Sequence, residues 1–423
     1  MNRVKSYLNS QANILQFRKR LPMRLSLLLT LVILAGSAFG QTFTTLYNFG
    51  ASQTDGQAPS SGVVMDKTGN LFGVTGIGGN HFSEGTVFEL SPPAVTGNPW
   101  TEAIIHRFSG TPDGKTPLGH LIMTPNGALA GTTLHGGAQD EGTLYMFAHG
   151  INQSKWRETI LHDFGTVPDD VVTPDLGLFS APEGFYGADQ GGANSTGAIY
   201  LLARGANGSA WTQNILYTFQ IRGSGDGADP GGELIRDAKG NLYGVTVQGG
   251  ANNLGAVYEI SPPAVQGNPW TETVLYSFNG TDGTLPAGRL LLGTGGKLFG
   301  TTNGGGASSA GTVFKLTPPT VSGNPWTHSI LYSFTGGSDG SGPEAGVIAD
   351  QTGKLYGTAG QTIFMLTPSS SGSTWTETIL HNFTGPDGFL ATGPLVLSNK
   401  TLFGVTAEGG AFGVGTAFQI SLP

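Results

Sequence analysis

A Leu-x-Gly or Phe-x-Gly phrase, usually with an aromatic residue at x, returns seven times in this chain. It begins at Leu71 (LFGVT), Leu129 (LAGTT), Phe185 (FYGAD), Leu242 (LYGVT), Leu298 (LFGTT), Leu355 (LYGTA) and Leu402 (LFGVT), at spacings of 58, 56, 57, 56, 57 and 47 residues. A fixed period of this size means one supersecondary unit stacked on copies of itself. Two further markers keep the same phase. One is the set of six tryptophans, Trp100, Trp156, Trp211, Trp270, Trp326 and Trp375. The other is the phenylalanine that closes an "LYSF"-like run, at Phe49, Phe108, Phe164, Phe219, Phe278, Phe334 and Phe383.

One unit reads as four short strands: "GELIRD", "NLYGVT", "GAVYEIS" and "WTETVLYSF". Each is β-branched or aromatic and bounded by Gly, Pro, Asn or Asp. The link "DAKGN" is a tight hairpin turn, and no stretch carries a helical period of adequate length. Four strands in about 56 residues, seven times over, predict an all-β, seven-bladed β-propeller with four antiparallel strands per blade. The ends fit a closed ring. "TFTTLYNF" (Thr42–Phe49) is a fourth strand without a unit, and "GTAFQIS" (Gly415–Ser421) is a third strand without a fourth. If the N-terminal strand completes the last blade, two sheet edges are hidden. An open solenoid would need polar caps instead.

The first forty residues are a different material. Arg3, Lys5, Arg18, Lys19, Arg20 and Arg24 precede or open the apolar run "LSLLLTLVILA", and small residues Ala38 and Gly40 follow. This is the pattern of a secretory signal peptide over 1–40, cut before Gln41, with Met23 a possible alternative start. The run is too short to span a bilayer, which takes about 20 apolar residues. The propeller then fills 41–423. Without the leader, 14 Lys and Arg face 28 Asp and Glu, a net charge of −14. Such a surface repels phosphate backbones, so no nucleic-acid partner is expected. Zero cysteines exclude disulfides and thiolate metal sites. Glycine, at 70 of 423 residues, is about twice its usual share of roughly 7%, which suits many turns.

The strand order sends two loops of each unit to one face: the Asp-Gly loop, as in "FNGTDGTLPAGR", and the Gly-Gly loop, as in "VQGGANNLG". The mouth of a propeller channel is a default ligand site. The Asp-Gly aspartates are Asp55, Asp113, Asp226, Asp282, Asp339 and Asp387, with Asp169 and Asp170 in unit three. Their simpler reading is turn chemistry. Calcium is the one ion such oxygen-rich loops suggest, with Asp226 and Asp229 as its candidate ligands; no other cofactor is implied. The Gly-Gly loops of units seven, one and two gather groups outside the repeat: Glu408, His81, Glu84, His135, Asp140 and Glu141. Solvated loop tips are the bland reading. The functional reading is a ligand-binding sector, or, for an enzyme, catalytic candidates Glu84, His135, Asp140, Glu141 and Glu408. His106, His162 and His381 occupy the tyrosine slot of "LYSF" and read as substitutes for a packing aromatic, not as a ligand set. Unit six lacks its Gly-Gly loop, so a tight hairpin around Gly360 should leave a groove over Gly357–Thr362.

The units "GNLYGVTVQGGANNLGAVYEISP" and "GKLFGTTNGGGASSAGTVFKLTP", followed by "WTETVLYSFNGTDG", resemble the GloVer tandem repeat of exported bacterial choice-of-anchor proteins. The resemblance spans essentially the whole chain after the leader. It implies a secreted or surface repeat protein and carries over no catalytic residue. Many such relatives have a C-terminal sorting anchor; "ISLP" offers no apolar tail for one. The reading favoured by these features is an exported, extracellular or periplasmic, non-enzymatic binding or scaffold module for glycan or protein, with no membrane span after the leader. Neutral amide and hydroxyl loops support it, and no Ser-His-Asp, H-E-x-x-H or P-loop pattern opposes it. The alternative is a polysaccharide-active enzyme, a glycosidase or lyase, using the acidic and histidine loops.

Overall fold

The structure, a computed structural model, describes residues 40–423 except 60, 80–83, 96, 151–154, 167–169, 191–195, 206–209, 221, 222, 224, 266 and 392. The expected leader therefore lies outside the described residues, as does His81. Regular structure among those described is strand, apart from one 3-10 turn at Thr294–Gly296.

Seven antiparallel blades follow one another. Blade one consists of Val63–Met65, Leu71–Thr75, Thr86–Ser91 and Thr101–Arg107, ordered from the inside outwards. The rest repeat that order, with the innermost strand of blade four divided into Gly227–Pro230 and Ile235–Arg236. Blade seven takes Val396–Ser398, Thr401–Thr406 and Thr416–Ser421 from the end of the chain and Thr42–Asn48 from its beginning. Thr42 pairs with Ser421 and Asn48 with Thr416, so the ring closes by strand exchange as the sequence predicts.

The core is a series of contacts between blades. Each closing phenylalanine is buried and meets an aromatic ring on the third strand of the next blade. Phe49 meets Phe88 at 4.9 Å, Phe108 meets Tyr145 at 5.1 Å, and Phe278 meets Phe314 at 5.2 Å. Tilted and edge-on pairs of this kind add about 0.5–1.5 kcal/mol each beyond the area they bury. The repeated glycine follows from the same rings. Gly300 stands opposite Phe314 in register, and a Cβ on Gly300 would lie 2.6 Å from the Phe314 ring. All seven second strands need glycine at this point for the same close approach. The tryptophans are half-buried and fasten outer strands to the preceding blade, Trp156 against Phe72 and Trp270 against Tyr186.

The two loops expected on one face do meet there. Gly56–Gln57 pairs with Ile77–Gly78, and the backbones of Lys115 and His135 bridge in the same way on blade two. Blade six joins Leu355–Ala359 to Thr362–Pro368 across Gly360 and Gln361 alone. The groove expected over Gly357–Thr362 is not open along that length. Gly357, Thr358, Ala359 and Thr362 are buried, because Gly340 packs on Ala359 and the Ala391 N–H of blade seven donates to the Gly360 carbonyl.

Candidate functional site

The Asp-Gly aspartates turn inwards and hold their own loops. Asp55 accepts from the Gly50 and Ala51 N–H groups at 2.7 and 2.9 Å, Asp339 from the Thr335 N–H at 2.8 Å, and Asp387 from the Thr384 N–H at 2.8 Å. Each also accepts from the ring that ends the fourth strand. Tyr47 reaches Asp55 at 3.1 Å, Tyr217 reaches Asp226 at 2.9 Å, and Tyr332 reaches Asp339 at 3.0 Å. His106, His162 and His381 do the same towards Asp113, Asp170 and Asp387. These histidines therefore replace the tyrosine as packing rings, as expected, and also take over its polar contact. The sequence reading missed a third member, contributed by the outer strand of the following blade: Glu102 to Tyr47, Glu272 to Asp226, Glu377 to Asp339. Burial, then the neighbouring aspartate's charge, pushes the Glu102 and Glu272 carboxyls up to about 8.

Apart from His81, which lies outside the described residues, the loop residues singled out in the sequence lie on the loop face. Asp140 takes the Lys115 ammonium at 2.8 Å and the Gly136 N–H at 2.9 Å. Those two contacts, with a smaller pull from His135, hold its carboxyl below the usual range. Asp140 is exposed, so the pair contributes little stability. Glu84 and Glu141 clasp the next blade through main chain: their carbonyls accept from the Thr116 and Thr173 N–H groups at 2.8 Å. Val414, Leu254 and Ala310 stand in the same column and accept in the same way, so the side chain there is free to vary. Glu408 exchanges both backbone hydrogen bonds with Phe389. The structure thus brings His135, Asp140 and Lys115 together on blade two. Asp226 serves its own turn through the Gln220 N–H at 2.7 Å, and Asp229 stands next along at positive φ with its N–H on the Thr196 carbonyl.

The strongest departure from the repeat lies at the axis. One position precedes the first apolar residue of each innermost strand, and it carries Gly62, His120, Gly177, Glu233, Arg289, Gly346 and Pro394 around the ring. The glycines let the inner turns crowd together; a Cβ on Gly346 would lie 2.2 Å from the Arg289 carbonyl oxygen. Glu233 of blade four reaches over blade three to His120 of blade two, Oε1 to Nδ1 at 3.3 Å. Gly177 makes this possible, because a Cβ there would stand 2.5 Å from the Glu233 Cγ. His120 Nε2 lies 3.4 Å from the Val63 carbonyl oxygen of blade one. Burial opposes ionisation of Glu233. The charge and hydrogen bond of His120 and the charge of Arg289 outweigh it, and the carboxyl is held below its ordinary range. Arg289 is exposed, and among the described residues its guanidinium makes no hydrogen bond. The axis thus presents a fixed buried anion, its imidazole partner and one water-facing cation. Chemically, this can hold a planar anionic or hydroxyl-rich group.

The fold has solved counterparts at low identity. The extracellular domain of a protein described as a one-component system from B. thetaiotaomicron is 13% identical, with a TM-score of 0.53, covering 89% of this chain and 42% of its own. A Lactobacillus plantarum protein is 15% identical, with a TM-score of 0.53, covering 82% and 89%. The PQQ-bound aldose sugar dehydrogenase of Streptomyces coelicolor is 16% identical, with a TM-score of 0.48, covering 75% and 97%. No curated protein matches the sequence. A family model does, over residues 32–200 and 151–362, most of the chain. The chain belongs to the Gloeobacter/Verrucomicrobia repeat family.

Proposed function

We propose that this propeller is an exported, non-enzymatic binding module whose ligand seat is the channel axis, and that Arg289 reads a carboxylate on a glycan or protein ligand. The observation that carries the reading is the His120, Glu233 and Arg289 cluster. It places charge where every other blade has glycine or proline, and fold maintenance alone calls for none there. The Arg289 guanidinium is exposed and its charge also acts on Glu233, but among the described residues its hydrogen-bond donors remain open to a partner. Guanidinium and carboxylate meet in a two-point fork, which gives orientation as well as attraction. The acidic surface, net −14 without the leader, disfavours polyanions and favours a ligand with an isolated charge among hydroxyls.

Export rests on the basic and apolar pattern of residues 1–40, and implies an extracellular or periplasmic setting. Among the described residues no helix is long and apolar enough to cross a membrane. The test is a glycan-array screen of the purified protein, followed by titration with neutral and uronate-bearing oligosaccharides of equal length. Binding of the uronate form, weakened tenfold or more in Arg289→Met, is the expected result. Equal binding by parent and variant would remove Arg289 from the site. Release of reducing or unsaturated sugar ends would instead move the protein into the polysaccharide-active enzymes.

A further inference from the structure

The seven seats between blades share one plan. A ring comes from the end of one outer strand, an aspartate from the loop after it, and a third side chain from the outer strand of the next blade. Three seats are filled by Tyr, Asp and Glu: Tyr47, Asp55 and Glu102; Tyr217, Asp226 and Glu272; Tyr332, Asp339 and Glu377. A phenol stays protonated and donates its hydrogen bond to the aspartate, so no cation is needed there. The seat of His162 and Asp170 has Gln213, whose Oε1 already accepts from the Val171 N–H at 3.2 Å. The seat of His381 and Asp387 is closed by Phe43, stacked on His381 at 3.8 Å. The seat of Tyr276 and Asp282 has His328, stacked on Tyr276 at 4.4 Å.

Between blades one and two all three positions are metal-ligand types. His106 Nε2 lies 3.1 Å from Asp113 Oδ2 and 3.6 Å from Glu158 Oε2. The ligand atoms of the three residues lie within 4.8 Å of one another. Ligands about 2 Å from a tetrahedral ion stand roughly 3.3 Å apart, so this spacing is close to a formed site. We propose that His106, Asp113 and Glu158 bind a single divalent transition-metal ion of the zinc type, as one-nitrogen, two-oxygen ligands with water in the fourth position.

Two further features support it. The Ser109 N–H and hydroxyl hold Asp113 Oδ2 at 2.9 and 3.0 Å, so the carboxylate is fixed before any ion arrives. The side chains of His106, Asp113 and Glu158 keep 23%, 12% and 21% of their exposure, enough for an ion to enter and retain a water. The imidazole selects against calcium and magnesium, which take oxygen alone.

The internal repeat supplies the control. His106→Tyr rebuilds the Tyr, Asp and Glu seat already present three times, so the variant is expected to fold. Metal-stripped full-length protein is dialysed against Zn2+ and the bound metal counted, with thermal melting as the check on folding. One site per chain is expected in the parent, its affinity falling tenfold or more in His106→Tyr. Tyr47→His converts the seat of Asp55 and Glu102 to the same ligand set and should raise the count from one to two. Absence of a saturable site in the parent, unchanged affinity in a folded His106→Tyr, or a count that stays at one in a folded Tyr47→His would each overturn the proposal. None of these outcomes bears on Arg289, so this site and the axial ligand seat stand or fall separately.

Discussion

The belt between the blades and the axis of the ring use similar residues to opposite ends. In the belt an aspartate meets a ring seven times, each time capping the loop that follows a buried phenylalanine. At the axis His120, Glu233 and Arg289 occur once each, in a column otherwise of glycine and proline. Repetition marks what every blade needs in order to pack. Its interruption marks what the ring as a whole presents. Breaking the belt should therefore cost stability, and breaking the axis should cost binding.

The largest effect expected comes from removing the belt's closing member. Deletion of residues 42–48 strips blade seven of its outer strand and leaves Thr416–Ser421 as an open edge. Aggregation, or a fall of about 10 °C or more in melting temperature, is expected by light scattering and calorimetry. A truncated protein as stable as the parent would mean that the strand is dispensable. Next in size is Gly300→Ala, which drives a methyl into the Phe314 ring at 2.6 Å and should cost about 1–3 kcal/mol in denaturant unfolding. Asp339→Ala removes the acceptor for the Tyr332 hydroxyl and the Thr335 N–H and should cost about 1–3 kcal/mol, without changing glycan binding. Arg289→Met should do the reverse, leaving the melting temperature within a degree or two while binding falls; a large loss of stability would erase the distinction between the two regions.

The last effect is a slope with pH. Glu102, facing Asp55, Tyr47 and Arg107, has its carboxyl raised to about 8 by burial and then by Asp55. The folded protein therefore binds this proton more tightly than the unfolded chain, whose glutamates titrate near 4.3. The contribution is full below that value and is lost as pH rises through about 8. Melting temperature should decline between pH 5 and 8.5, less steeply in Glu102→Gln. A variant with the parent's slope would place the titration elsewhere.

The ring itself was legible because its signals are local and repeated: Leu-x-Gly, Trp and Phe in phase, and ends that complete one another. The turn role of Asp282 and Asp339 was legible for the same reason. The partnership of Glu102 with Tyr47 was not, because it joins two columns of the repeat across neighbouring blades, and the stagger between blades is set by packing. The axial cluster was missed for a related reason. Innermost strands run to as few as two residues, as at Ile122–Met123, too short to align by pattern. Only when Gly62, Gly177 and Gly346 are set in one column do His120, Glu233 and Arg289 stand out as exceptions. The loop residues Glu84 and Glu141 drew attention by charge, whereas the fold uses their carbonyls.

The pairing of Thr42–Asn48 with Thr416–Ser421 has a kinetic meaning. The propeller's first strand in sequence has its last as partner, so the contact that completes the ring joins residues more than 360 positions apart. Contacts of such separation form late, because the loop entropy must be met before they reward it. Six blades can condense from neighbouring segments while the seventh waits. Until Thr42–Asn48 and Thr416–Ser421 meet, both strands present open edges, and their pairing closes the ring in a single late event.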